Sequence, residues 1–369
     1  MLDTIILTIP RNGYLITDNN KFSPSTERML DNLKFFFKYM NNPTAKDRER
    51  GIYKPRLTII KRGASFDLKI EFSAPKLLFD NNLDEMEESD FNEVVNKLKA
   101  RIEDMGVKVY TSFIENAKVS AFHPSKNIPL SKGNTSTLAI KELSKINLNG
   151  RYDLEKVSFR NNGHSLQFYA NSNAFAMYDK IIDMSKPKNR AIDKEQPLKQ
   201  QSLFDLIKKE YKYLEVLRFE IRLAKKRKMN SILKEVNYPI NPLFRDIFKK
   251  ELCRKILNLY WNKYFDNNLF LFDIGNNPQK ILQKILLTYP KIKKKQAIYL
   301  TGLNLLCKDE EGIRGLRTIL PKAIWPRMSQ DLKKFRKPEF NQRSYGFIAD
   351  IQRGLKEFTS YKHNKTSKV

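Results

Sequence analysis

Hydrophobic and polar positions alternate over residues 216–223, placing Leu217, Phe219, Ile221 and Leu223 on one face of a strand and Arg218, Glu220 and Arg222 on the other. Such a strand lays one face on a core and gives the other to a charged site or to solvent. Residues 174–180 read as a second strand, which follows the hairpin signal Asn171-Ser172-Asn173 and ends in Tyr178-Asp179-Lys180. Upstream, strand patterns cover residues 4–9, 53–61 and 66–72, the last two joined through the turn Arg62-Gly63-Ala64-Ser65. Phe91, Val94, Val95, Leu98, Ile102 and Met105 recur at helical spacing and predict a helix over 84–105; acidic residues sit at its start, where the helix dipole favours them, and Gly106 ends it. The chain then returns as strand over 107–119 into Ala121-Phe122-His123, and a helix is expected over 135–145. This order argues for an α+β domain built on an antiparallel sheet.

Residues 184–200 are polar and carry Pro187 and Pro197, so an exposed insertion is expected between the two charged strands, followed by a short helix over 203–213. Past Lys225-Lys226-Arg227-Lys228 the pattern changes. Pro239 and Pro242 punctuate it, and residues 243–264, 278–287, 293–306, 313–320 and 326–335 read as helices. A boundary near Met229 follows, dividing a domain of residues 1–229 from a mostly helical one of residues 230–369, whose basic tail from 361 onward is expected to be disordered.

Composition sharpens this picture. The 369 residues exceed the roughly 250–300 at which single cores stop growing, which agrees with two units. Lys and Arg number 69 against 41 Asp and Glu, a net charge of +28 that implies a polyanionic partner, nucleic acid before a membrane surface. No run reaches the roughly 18 apolar residues of a membrane span, and residues 1–10 read as a strand without a leader's basic start, so a soluble cytoplasmic protein is expected. Cys253 and Cys307 lie in apolar helical patterns and are expected to be buried thiols. Three histidines exclude a multi-histidine metal site, and the lack of a glycine-rich phosphate loop excludes the parallel-sheet nucleotide folds.

Tyr178-Asp179-Lys180 at a strand end, followed after an insertion by Leu217-Arg218-Phe219-Glu220-Ile221-Arg222, resembles the replication initiators of filamentous phages, the gene II endonuclease family, and their rolling-circle plasmid relatives. Ser73-Ala74-Pro75-Lys76 with Asn81-Asn82 is similar to that family's Ser-x-Pro-Lys strand and loop, and residues 119–128 around His123 and Lys126 to its metal-site strand. Residues 299–335, with Gly312, Arg314, Arg317, Pro321, Trp325 and Arg327, resemble its C-terminal helical region. The resemblance thus runs in order through most of the chain, by short degenerate motifs.

It implies an antiparallel-sheet nuclease domain followed by a helical DNA-binding domain. The implied activity is metal-dependent nicking and rejoining of DNA at a phage or plasmid origin through a 5′-phosphotyrosine. The implied partners are double-stranded origin DNA, single-stranded DNA, and a host helicase and polymerase. Carried over residue by residue, Tyr178 is the nucleophile, Lys180 a charge partner, and His123 and Glu220 ligands of Mg²⁺ or Mn²⁺. His123 stands where the family often has aspartate, and the histidine–hydrophobe–histidine motif of better-known rolling-circle nucleases is absent, so carboxylates must hold most of the metal. Glu71 and Glu115 are equal candidates for the further ligand. Arg218 and Arg222 either neutralise Glu220 or hold the scissile phosphate, the latter favoured for Arg222. Ser73, Lys76 and Lys126, with Arg218, are DNA contacts; so are Arg314, Arg317 and Arg327, the last on a helix that could close a helix-turn-helix. A non-catalytic repressor or replication-control protein of the same fold is the alternative, and an RNA-binding protein or transposase a third reading.

Overall fold

The computed structural model describes residues 1–146, 158–160, 163–170, 172–185 and 214–363; the helix expected over 203–213 and most of the insertion before it lie outside the described residues. The described strands are β1 (Leu2–Ile9), β2 (Tyr14–Ile16), β3 (Phe36–Asn41), β4 (Arg56–Arg62), β5 (Ser65–Ser73), β6 (Val107–Val109), β7 (Lys118–Pro129), β8 (Ser158–Arg160), β9 (Ser165–Ala170), β10 (Asn173–Asp179) and β11 (Val216–Leu223). Nine of them form one sheet in the order β3-β4-β5-β1-β7-β11-β10-β9-β8, every neighbour antiparallel, while β2 and β6 make a small second sheet. The class is α+β with a large antiparallel sheet.

Alternation decides which face of the sheet is buried. Ile5, Leu7 and Ile9 on β1, Leu68, Ile70 and Phe72 on β5, and Leu217, Phe219, Ile221 and Leu223 on β11 line one face and are fully buried. The helix Lys250–Tyr264 lies against β7 and β11 on that face and carries Leu252, Cys253, Ile256, Leu257, Tyr260 and Trp261 into the core. Phe219 meets Trp261 edge-on at 5.8 Å between ring centroids, and Trp261 stacks on Phe265 at 4.8 Å. The charged residues of β11 therefore stand on a strand whose opposite face is clamped by aromatic packing. The boundary expected near Met229 falls inside the helix Lys226–Glu235, Met229 is fully buried, and the apolar core continues across it from Met1 to Phe358.

Several elements depart from the sequence expectation. The strand expected over 107–119 is broken: β6 is short, the helix Thr111–Glu115 follows, and β7 then runs on to Pro129 between β1 and β11. The strand runs through Pro124, which pairs with Leu2 beside a shift in the β1 register, the kind of irregularity at which a strand tolerates proline. The expected strand-and-loop at Ser73-Ala74-Pro75-Lys76 is instead the helix Ala74–Phe79, with Pro75 in its first turn, where no donor is needed. Neither β3 nor the helix Gly346–Glu357 was evident from periodicity. Cys253 and Cys307 are buried free thiols, and among the described residues no helix is long and apolar enough to cross a membrane.

The start of the expected disordered tail is docked; residues 364–369 lie outside the described residues. Glu85 holds this segment, accepting from the backbone N–H groups of Asn127 (2.7 Å) and Tyr361 (3.0 Å) and pairing with Lys126. Burial pushes the Glu85 carboxyl up, but Lys126, the Met1 amino group at 3.6 Å and the Tyr361 N–H outweigh it and bring it down to about 2. A carboxyl lowered in the folded state stabilises the fold above its ordinary range and loses that effect as pH falls through the folded value. Glu85→Gln should therefore cost about 3–5 kcal/mol at neutral pH, leaving Lys126 buried without its partner. Urea titrations should show this gap in full above the ordinary 4.5 and closing as pH approaches about 2; a gap independent of pH would remove the ion pair as its cause.

Candidate active site

The register across three neighbouring strands assembles the site. Tyr178 lies opposite Arg218, Ala176 opposite Glu220 and Ala174 opposite Arg222 on β10 and β11, while Glu220 faces Ser125 and Arg218 faces Asn127 on β7. Small alanines opposite the long charged side chains leave them room on the sheet face. Tyr178 Oη donates to Glu220 Oε2 at 2.7 Å, Arg222 Nε donates to Glu220 Oε1 at 2.7 Å, and Arg218 Nε stands 3.5 Å from Oε2. His123 Nδ1 lies 3.7 Å from Glu220 Oε1. Lys180 opens the helix Lys180–Ser185 beside the strand end; its buried Nζ is 5.7 Å from the Tyr178 ring centroid and 4.0 Å from Asp183 Oδ2. Tyr178, His123, Lys180, Glu220 and Arg222, taken from separate stretches of sequence, thus converge.

The electrostatics follow from that packing. Burial pushes the Tyr178 phenol well above its ordinary range, with Arg218 opposing and Glu220 adding to the shift. Burial also pushes the Glu220 carboxyl up, but Arg222, Arg218 and His123 outweigh it and hold the group ionised far below the ordinary carboxylate range. Burial and the two arginines lower His123 to about 4, so it is neutral near pH 7 although Glu220 pulls the other way. Arg222 is the member that reaches outward, its side chain 29% exposed against 3% for Glu220.

Arg218 is committed to the protein interior. It is 1% exposed, pairs with Asp3 Oδ2 at 3.0 Å, and donates to Ser125 Oγ at 2.9 Å, to Asn127 Oδ1 at 3.2 Å and to the Asn82 carbonyl at 3.1 Å. Ser73 is buried beside it and donates to Asp3 Oδ1 at 2.8 Å; Lys76 is also buried, and Lys126 is held by Glu85 and the Thr359 carbonyl. These four were expected at a DNA surface and lie inside; for Ser73, Lys126 and Arg218 the reason is that partners distant in sequence satisfy them. Arg327 is exposed, whereas Arg314 and Arg317 are half-buried, Arg317 lying over the Trp325 ring at 5.5 Å. They belong to the helices Gly312–Ile319 and Trp325–Leu332, joined by residues 320–324. Asp3 is the member that sequence reasoning missed. Its signal was a lone carboxylate at the start of an otherwise apolar strand.

The residues present do not, as arranged, fit a divalent cation. Both Glu220 oxygens are taken by Tyr178 and Arg222, Asp3 is held by Arg218 and Ser73, and the two carboxylates are balanced by two guanidiniums. Among the described residues no three His, Cys, Asp or Glu side chains gather closely enough to hold a metal, and neither Glu71, on β5, nor Glu115, at the end of the helix Thr111–Glu115, joins His123 and Glu220. What the cluster offers chemically is a phenol hydrogen-bonded to a carboxylate with cationic side chains around it. Comparison with protein-family models, with curated proteins and with solved structures found no match for this chain.

Proposed function

We propose that this protein cuts and rejoins one strand of DNA through Tyr178, as a rolling-circle replication initiator does. The observation that carries the reading is the 2.7 Å hydrogen bond from Tyr178 Oη to the Glu220 carboxylate beside Arg222. Tyr178 Oη attacks the phosphorus, its proton passes to Glu220 Oε2, the P–O3′ bond breaks, and the departing 3′ oxygen takes a proton from solvent water, to which Glu220 then returns its own. The 5′ phosphate stays on the tyrosine, and the conserved phosphodiester energy permits rejoining without ATP. Glu220 is a weak base while two guanidiniums hold it ionised. A phosphate that draws Arg222 toward itself removes one of them and raises the basicity of Glu220 at the moment a base is needed. Lys180 and Arg222 counter the charge that develops on the phosphoryl oxygens. No step is assigned to Mg²⁺ or Mn²⁺, since binding one would first require Glu220 to be released from Arg222.

Incubation with supercoiled origin plasmid, with and without Mg²⁺ or Mn²⁺, tests this reading: relaxed circles are expected, and their absence under every condition would leave a DNA-binding protein without this chemistry. The burial of Tyr178 and the neutralisation of Glu220 favour that second reading, in which the cluster only braces the sheet. Either way the net charge of +28 should make DNA binding fall steeply with salt. Each phosphate neutralised contributes a log–log slope of about −0.9 on duplex DNA. A flat salt dependence would remove nucleic acid as the main partner.

A further inference from the structure

The edge of the large sheet farthest from β8 carries a feature that the catalytic proposal does not use. β3 is that edge, and Phe36, Lys38 and Met40 lie on the same face as Arg62, Ile60 and Thr58, which they pair with on β4. Phe36 is 50% exposed and Met40 45%, and just before the strand Phe35 is 77% exposed. The main chain at Phe35 is held all the same, since its carbonyl accepts from Gly63 N–H at 2.8 Å across the β4–β5 turn. Lys38 Nζ stands over the Phe36 ring at 5.5 Å, Lys38 and Arg62 are exposed on this face, and Lys34, exposed just before the strand, stands over the neighbouring Phe37 ring at 5.3 Å. Solvent-facing phenylalanines on a paired backbone, interleaved with cations, are the combination that binds single-stranded nucleic acid, with bases stacking on rings and phosphates meeting lysine and arginine.

We propose that this β3 edge patch is a stacking platform for single-stranded DNA. A second copy of the chain is a poorer occupant, because the antiparallel pairing that stacks Phe36 on its own copy would oppose Lys34 and Lys38, two like charges. Part of the edge is also spent: Met40 exchanges both backbone hydrogen bonds with Ser23, at 2.8 and 3.0 Å. From β3 to β10 the sheet order counts six strand spacings, roughly 29 Å. The platform would therefore grip the strand away from the bond being cut, keeping an unwound or displaced segment with the enzyme. The inference rests on the proposed function for its ligand and on nothing catalytic.

The test uses the full chain, labelled oligodeoxythymidylate and fluorescence anisotropy at several salt concentrations. Phe35→Ala with Phe36→Ala should weaken binding by roughly tenfold for each ring while leaving the salt slope unchanged, since no charge is lost. Lys34→Ala with Lys38→Ala should instead flatten the slope, by about 0.7 for each lost phosphate contact on a single strand. Phe36→Trp, which keeps a stacking face, should bind as the parent does, separating loss of stacking from loss of fold. If the phenylalanine variants bind the oligonucleotide as the parent does, or if they only convert an oligomer to monomer in sedimentation, the platform is overturned. Cleavage plays no part in this readout, so a parent protein that binds but never nicks would sink the catalytic proposal and leave this one standing.

Discussion

Tyr178→Phe is expected to abolish both plasmid nicking and the SDS-stable protein–DNA adduct while leaving DNA binding and folding nearly intact. The substitution removes a single oxygen, the one that donates to Glu220 at 2.7 Å. Removing a nucleophile costs on the order of 10⁴–10⁶ in rate, whereas losing one buried hydrogen bond costs about 1 kcal/mol of stability. The ring keeps its place on β10, and every charge in the cluster survives. Gel assays of nicking and adduct, run beside a thermal melt, separate these effects. A phenylalanine variant that still nicks and still forms the adduct would transfer the chemistry to another tyrosine.

Glu220→Gln should have the second largest effect, and on two properties at once. Its carboxylate is 3% exposed and meets Arg222, Arg218, Tyr178 and His123. Neutralising it leaves two arginines close together without their shared counter-charge, so a loss of about 3–5 kcal/mol is expected near neutral pH. The folded-state carboxyl is lowered, so its contribution is present above the ordinary carboxylate range and disappears as pH falls below that range; parent and variant should converge in acid. If Glu220 also accepts the phenol proton, nicking per folded molecule falls by roughly 10²–10⁴. DNA binding should hold or tighten slightly, since Arg222 is freed for phosphate. A variant that melts early but nicks at the parental rate per folded molecule would confine Glu220 to a structural role.

How much of this was legible in the sequence depends on whether a feature is local. The period-2 pattern of residues 216–223 marked β11 and its charged face, because alternation needs only one strand and one core. The convergence of Tyr178, Glu220, Arg222, Lys180 and His123 was legible through the order of short motifs rather than through any one of them. What could not be read was pairing between distant residues. Asp3 enters the cluster because β1 lies beside β7 and β5 in the sheet, and Ser73, Lys76, Lys126 and Arg218 are interior because other parts of the chain fold over them. A lysine that will meet Glu85 looks the same in sequence as one that will meet phosphate. The β3 edge was hidden for a related reason: its outward positions Phe36 and Met40 are as apolar as its inward positions Phe37 and Tyr39, so no contrast between polar and apolar residues marks its two faces.

The central claim is that Tyr178 becomes covalently joined to DNA. It is tested most directly by trapping the SDS-stable adduct on origin DNA, digesting it with nuclease and trypsin, and locating the nucleotide-bearing peptide by mass spectrometry. The expected result is a phosphonucleotide on Tyr178 and on no other residue. An adduct on a different side chain, or a nicked product that carries a free 5′ phosphate and no attached protein, would contradict it.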